Sequence, residues 1–131
     1  MGKVLIIDDE DSFLDLIRKH LHDHFPGITV LTCDDPVHCL ASITMDLALL
    51  LIDLEMPGLD GSKVLAYAVS KGIDRNRIII FSGRDAEYLH KRFPRGSCLG
   101  VLNKFEAKQQ QALDMIFFAL QEKGPDAAKV R

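Results

Sequence analysis

Two adjacent carboxylates, Asp8 and Asp9, end the apolar run Val4–Ile7, and a third, Asp53, ends the apolar run Leu47–Ile52. Acids at the carboxyl ends of buried parallel strands open into one crevice of an α/β sheet. Carboxylates that close raise one another's pKa, so such a site resists full ionisation until a divalent cation enters. Ser82-Gly83 and Lys104 fall at or just after two further strand ends. They add a hydroxyl, a main-chain amide and an ammonium to the same crevice. Taken singly, the acids could be helix caps or turn starters, Ser82-Gly83 a loop and Lys104 a surface charge.

The elements that must position these groups are legible as alternating patterns. Strand-length apolar runs at Val4–Ile7, Ile28–Cys33, Leu47–Ile52, Ile78–Phe81 and Leu99–Leu102 alternate with helix-length amphipathic segments. Five such repeats predict a doubly wound α/β fold, a (βα)5 five-stranded parallel sheet covered on both faces. The first, third and fourth runs are apolar throughout, as strands buried on both faces are. Ile28–Thr32 partly alternates and Leu99–Leu102 is short and carries Gly100, so these two are expected at the edges. Strand order 2-1-3-4-5, the flavodoxin-like order, satisfies these placements with right-handed crossovers.

Helix signals agree. Asp35-Pro36 reads as an N-cap followed by proline at the first helical position, and Asp60 as the cap of the third helix. Leu14, Ile17 and Leu21 form one apolar stripe, and Leu113, Ile116, Phe117 and Leu120 another, both core-facing; Met115 and Phe118 lie off the second stripe and are expected to be exposed. Gly124-Pro125 stops the last helix, so residues 1–123 are expected to form one domain and 124–131 a tail or the start of a linker.

Composition narrows the partners. A chain of 131 residues with 47% hydrophobic residues has enough apolar side chain for one core, and a net charge of −3 gives no general pull toward nucleic acid or an anionic membrane. No apolar stretch approaches the roughly 20 residues needed to span a bilayer, and the start runs into acids rather than a cleavage site, so a cytoplasmic location is expected. Cys33, Cys39 and Cys98 lack C-x-x-C spacing and read as buried reduced thiols rather than ligands or a redox switch. Of His20, His22 and His24, only His20 and His24 share a helix face, with no carboxylate evident to complete a metal site. Arg84, His90, Lys91, Arg92 and Arg95 read as a solvated face of the fourth helix.

The ordered set Asp8-Asp9, Asp53-Leu54-Glu55-Met56-Pro57-Gly58-Leu59-Asp60-Gly61, Ser82-Gly83 and Lys104 resembles the receiver domain of two-component response regulators, the CheY-like family. The resemblance covers nearly the whole chain. It implies that Asp53 accepts a phosphoryl group from a phosphohistidine on a histidine kinase or phosphotransfer protein. It also implies Mg²⁺ held by Asp9, Asp53 and the main-chain carbonyl of Glu55, with Asp8 acting through water. Such hard oxygen donors suit Mg²⁺. In a loose phosphoryl-transfer transition state, charge spreads over three equatorial oxygens, which the cation, Lys104, and Ser82 with the Gly83 amide would each meet.

In the resembling family, modification draws the Ser82 position inward and moves an aromatic near the end of the fifth strand. That motion remodels the face formed by the fourth helix, fifth strand and fifth helix, through which an output domain, target or second receiver binds. Here Val101 occupies the aromatic's position and Phe105 stands where proline is common after the lysine, so the site looks intact and the relay altered. Met115 and Phe118 could contribute to a homodimer on that face. Such a domain modifies itself and is not a turnover enzyme. The alternatives are a degenerate receiver that binds partners without phosphorylation, and a flavin-binding carrier of the same topology. Asp9-Glu10-Asp11 would repel the latter's phosphate.

Overall fold

The computed structural model describes residues 2–123. The main elements are β1 (Lys3–Ile7), α1 (Asp11–His24), β2 (Thr29–Cys33), α2 (Pro36–Ser42), β3 (Leu49–Asp53), β4 (Glu55–Met56), β5 (Leu59–Asp60), α3 (Gly61–Ser70), β6 (Ile78–Ser82), α4 (Ala86–Arg92), β7 (Gly100–Asn103) and α5 (Ala107–Lys123). Five strands form a parallel sheet in the order β2-β1-β3-β6-β7. Leaving out the short antiparallel pair β4 and β5, this is the expected 2-1-3-4-5 order, with β2 and β7 at the edges. The expected tail, residues 124–131, lies outside the described residues.

The continuous apolar strands follow from cover on both faces. Leu5, Ile7, Leu50, Ile52, Ile78 and Ile80 pack with residues of α2, α3 and α4 on one side. Val4, Ile6, Leu49, Leu51, Ile79 and Phe81 pack with α1 and α5 on the other. Each fully buried Leu, Ile or Phe contributes about 1.5–3 kcal/mol of transfer free energy, so the two half-cores fix the strand register and hence what stands at the strand ends. Leu14, Ile17 and Leu21 are buried as the stripe on α1 required, as are Leu113, Phe117 and Leu120 on α5, with Ile116 partly buried. Met115 and Phe118 are 74% and 58% exposed.

Strand limits differ slightly from the apolar runs. β3 begins at Leu49 rather than Leu47 and takes in Asp53, because Asp53 still has a ladder partner in Phe81. β7 likewise runs Gly100–Asn103, its last residue paired with Ser82. Polar residues thus end strands that hydropathy alone would stop one residue early. Cys39 is fully buried, but Cys33 and Cys98 are only partly so, which corrects the expectation of three buried thiols: the edge strand β2 and the approach to β7 are covered less completely.

The loop after β3 carries the least anticipated structure. Met56 pairs with Leu59 across Pro57-Gly58, and Gly58 has φ +79°, the Pro-Gly pattern of a type II turn. Asp60 then caps α3 by accepting the Ser62 amide at 2.8 Å. The Asp35 carbonyl accepts the Cys39 amide at 2.8 Å, as an N-cap residue's does. Gly61 lies hard against the end of β3, where a Cβ would stand 2.4 Å from the Asp53 carbonyl oxygen and 2.7 Å from the Leu54 Cα. Both obstacles are backbone and cannot swing away. Gly61→Ala is therefore expected to lose about 1–3 kcal/mol or more of stability to overpacking, read as a lower urea midpoint at unchanged m-value; an unchanged midpoint would show that α3 can slide off the strand end.

Candidate functional site

At the carboxyl end of the sheet, Asp8 follows β1, Asp53 ends β3, Ser82 ends β6 and Lys104 follows β7. The backbone locks each one. The Asp8 amide donates to the Cys33 carbonyl at 3.1 Å, the Leu54 amide to the Phe81 carbonyl at 2.8 Å and the Lys104 amide to the Ser82 carbonyl at 3.0 Å. The side chains are fixed by local turns as well: Asp8 Oδ1 accepts the Glu10 amide at 2.9 Å, and Asp53 Oδ1 the Glu55 amide at 3.3 Å.

Asp8, Asp9 and Asp53 each offer a carboxylate oxygen within 4.8 Å of the others. Asp8 and Asp53 are 1% and 4% exposed, while Asp9 is open to solvent. The Lys104 side chain, 6% exposed, places Nζ 2.5 Å from Asp8 Oδ2, 3.6 Å from Asp53 Oδ1 and 3.7 Å from Glu10 Oε1. Nζ also stands 4.5 Å from the Phe13 ring centroid, so an aromatic face shields it from water and attracts the cation. Burial pulls the Lys104 pKa down, but the Asp8 contact and the charges of Asp53, Asp8 and Glu10 outweigh it and hold the ammonium above its ordinary value. Burial, reinforced by the Asp8 charge, pushes Asp53 up to about 7 against the opposing pull of Lys104.

These residues suit a hard divalent cation. All the donors are oxygens, one face of the cluster is open, and the buried Asp8 Oδ2 has no hydrogen bond of regular geometry beyond its ion contact with Lys104. The raised Asp53 carboxyl is the mark of negative charge still short of a counterion.

Not every candidate joins the cluster through its side chain. Ser82 is fully buried, and its hydroxyl donates to Glu55 Oε1 at 2.7 Å while accepting the Arg84 amide at 2.9 Å. Glu55 thus has a side-chain partner as well as the main-chain role expected of it, and Arg84 stands 3.8 Å from its other oxygen. Gly83 is exposed at the rim, where a Cβ would meet the Phe105 ring at 3.1 Å. Phe105, 77% exposed, forms one wall of the depression containing Asp9, Asp53 and Lys104. Val101 lies apart from the acids, opposite Ile80 and half-buried against the α2–α4 core. Sequence reasoning missed Glu10, Phe13 and the Glu55 carboxylate. The i+2 spacing of Glu10 from Asp8 and of Glu55 from Asp53 was the available signal.

Two readings of other groups need amendment. His20 does find a carboxylate: Nε2 is 2.8 Å from Asp114 Oδ1 on α5, a long-range pairing that local spacing could not reveal. It joins two helices, and among the described residues the acid trio alone brings three potential metal-ligand atoms together. The basic group is neither one face of α4 nor wholly solvated: His90, Lys91 and Arg92 lie in α4, while Arg84 precedes it and Arg95 follows it. Arg92 holds Asp60 at 2.5 Å and Ser62 at 3.2 Å, and the Arg84 guanidinium stacks 3.9 Å over Tyr88.

The model of the family described as response regulator receiver domain matches residues 4–121. The chain belongs to that family. It is 30% identical over 112 residues to the glycerol metabolism activator of Pseudomonas putida, covering 84% of this chain and 50% of the relative. The chain therefore spans about half the length of that curated relative. Its fold matches the CheY-like response regulator receiver domain protein of Methanospirillum hungatei, with TM-score 0.72, 22% identity and coverage of 100% and 99% of the two chains. It also matches the response regulator TrrA of Thermotoga maritima, solved in complex with Mg²⁺-BeF, with TM-score 0.71, 20% identity and coverage of 88% and 97%. Receivers are signalling domains, and no helix among the described residues of this one is long and apolar enough to cross a membrane.

The raised Asp53 carboxyl has a measurable consequence in the metal-free receiver. Its folded pKa of about 7 lies above the ordinary 3.8, so between those values the folded chain binds more protons than the unfolded chain. Stability contributed by the protonated carboxyl is lost as pH rises through this window. Thermal unfolding in EDTA should show Asp53→Asn gaining on the wild type between pH 5 and pH 8, and added Mg²⁺ should narrow the gap for the wild type alone. A difference independent of pH would refute the shift.

Proposed function

We propose that this receiver accepts a phosphoryl group on Asp53, in a Mg²⁺-dependent reaction, from a phosphohistidine on a histidine kinase or phosphotransfer protein, and relays the change by conformation within a phosphorelay. The observation that carries this reading is the buried Asp53 carboxylate set among Asp8, Asp9 and Lys104 at the open end of the sheet. The reading has residues 1–123 as one receiver domain acting in the cytoplasm, with 124–131 as a tail or linker.

Asp9, Asp53 and the Glu55 main-chain carbonyl would hold Mg²⁺, with Asp8 contributing through water. The bound cation would neutralise carboxylate charge and draw off charge from one phosphoryl oxygen. The residues do the rest. An Asp53 oxygen attacks phosphorus while the phosphorus–nitrogen bond of the donor breaks and its electron pair returns to the imidazole. Lys104, already held beside Asp53 as an ammonium, meets a second oxygen as charge spreads. Phe105 and Phe13 limit water around that contact.

The third oxygen falls to Ser82 and the Gly83 amide, and here the fold imposes a condition. The Ser82 hydroxyl donates to Glu55 and must leave that carboxylate to reach a phosphoryl group. The added group brings about two negative charges and three acceptor oxygens, enough to compete for the proton. Movement of Ser82 would carry the β6–α4 loop, through the Ser82–Arg84 contact, toward the face of α4, β7 and α5. Val101 stands at the switch position of that face and Met115 and Phe118 are exposed on α5, so a second receiver is one candidate occupant. Val101 cannot swing as a ring does, so the loop itself carries more of the change.

Intact mass after incubation with Mg²⁺ and acetyl phosphate should show one added phosphoryl group, absent with EDTA and absent from Asp53→Asn. Lys104→Gln should retain Mg²⁺ binding and lose roughly 10²–10³-fold in phosphorylation rate, the scale of removing one oxyanion donor. A wild type that takes no phosphoryl group would instead be a phosphorylation-independent binding module, and modification persisting in Asp53→Asn would place the acceptor elsewhere. Sedimentation with and without beryllofluoride tests the homodimer: a mass unchanged across concentration in both states would rule it out.

A further inference from the structure

Cys33 closes β2 and Cys39 lies in α2, so the two face each other across the Asp34-Asp35 turn at the end of the sheet that carries the acids. Both are free thiols, and their sulfurs are 2.6 Å apart. That is closer than the roughly 3.5–4.0 Å of ordinary non-bonded carbon contacts. Neither C-x-x-C spacing nor any local pattern marks this pair; it is created where the strand turns into the helix. We infer that Cys33 and Cys39 form a redox-modifiable pair, closing to an intramolecular disulfide in the presence of a low-molecular-weight disulfide, and that closure stiffens the adjoining end of β1.

The two thiols have different access. Cys39 is fully buried in the α2–α4 core, whereas Cys33 is partly exposed. Burial, with the Cys33 thiol beside it, also pushes the Cys39 thiol well above its ordinary pKa. Cys33 is therefore the first nucleophile. Its thiolate attacks one sulfur of the oxidant, which leaves as a thiolate after the sulfur–sulfur bond breaks; Cys39 then attacks the Cys33 sulfur and expels the second thiolate. The two protein thiols are oxidised by two electrons, the oxidant is reduced to two thiols, and the two protons lost by the protein end on them. Transient disulfides of this kind are the form that reducing compartments permit.

The route to β1 is short. The Cys33 carbonyl accepts the Asp8 amide at 3.1 Å, and Cys33 lies opposite Ile7 in the ladder. Tying Cys33 to α2 removes freedom from the acceptor that holds Asp8 in place. None of this requires Asp53 to accept a phosphoryl group.

The test is to treat the full chain with oxidised glutathione, block remaining thiols and measure mass. The expected product is a monomer lighter by two hydrogen atoms with Cys98 alone blocked. Cleavage at Asp34 or Asp35 should leave fragments joined until reduction. Cys39→Ala should stall as a glutathione adduct on Cys33, and Cys33→Ser should leave Cys39 unmodified. Amide exchange at Asp8 should slow in the oxidised form relative to the reduced. Linkage through Cys98, disulfide-joined dimers, or both Cys33 and Cys39 remaining blockable would overturn the pairing; a disulfide with unchanged Asp8 exchange would overturn the coupling to β1.

Discussion

Among the described residues, Lys104 is the one cation buried among the acids at the strand ends, and the arrangement around it is set by the imbalance this leaves. Two carboxylates, Asp8 and Asp53, are almost wholly removed from water, with Lys104 nearer to Asp8 than to Asp53. Burying an ion pair costs desolvation that close contact only partly repays. The Lys104–Asp8 contact neutralises one carboxylate and leaves the other short of charge, which is why burial and Asp8 drive the Asp53 carboxyl upward. A second cation relieves that deficit, and so does a proton. Either would balance the charge, and the open side at Asp9 is where a cation could enter.

Such a cluster needs an unyielding frame, because it gains nothing from its own packing. The sheet supplies the frame by burying both faces of β1, β3 and β6. Slipping any of these strands by one residue would turn core side chains to the wrong layer. The same register aligns the ends of β3 and β6, so Asp53 stands opposite Phe81 and Ser82 opposite Asn103. Gly61 extends this control beyond the sheet, since contact with the Asp53 carbonyl fixes where α3 begins.

What the amino-acid order disclosed follows the range of the forces involved. Strand order and the gathering of Asp8, Asp9, Asp53 and Lys104 were legible because apolar runs report burial on one face or two, and strand ends converge by topology alone. Contacts made by side chains reaching across the fold were not. Nothing near His20 announces Asp114, 94 residues on. The approach of Cys33 to Cys39 depends on how β2 turns into α2 rather than on their spacing. The β4–β5 ribbon lay between these cases: Pro57-Gly58 signals a turn, but two-residue strands carry no periodicity to detect.

The carboxylate of Glu55 shows most sharply why composition of a site and its state are separate questions. A residue two beyond Asp53 has its backbone committed to the acid cluster, with its amide on Asp53 Oδ1, while its side chain reaches the other way to the Ser82 hydroxyl. One residue therefore touches both the acid cluster and the hydroxyl on the neighbouring strand. Because Ser82 in turn accepts the Arg84 amide, the geometry of the β6–α4 loop depends on which acceptor the hydroxyl faces. Glu55 competes as a half-exposed carboxylate whose hold is weakened by water. A more highly charged acceptor on Asp53 would compete with Glu55 for the hydroxyl. On the proposed function, in a chain whose fifth sheet strand offers Val101 rather than a ring, the Ser82 hydroxyl and its Arg84 amide contact would be the shorter path from Asp53 toward α4.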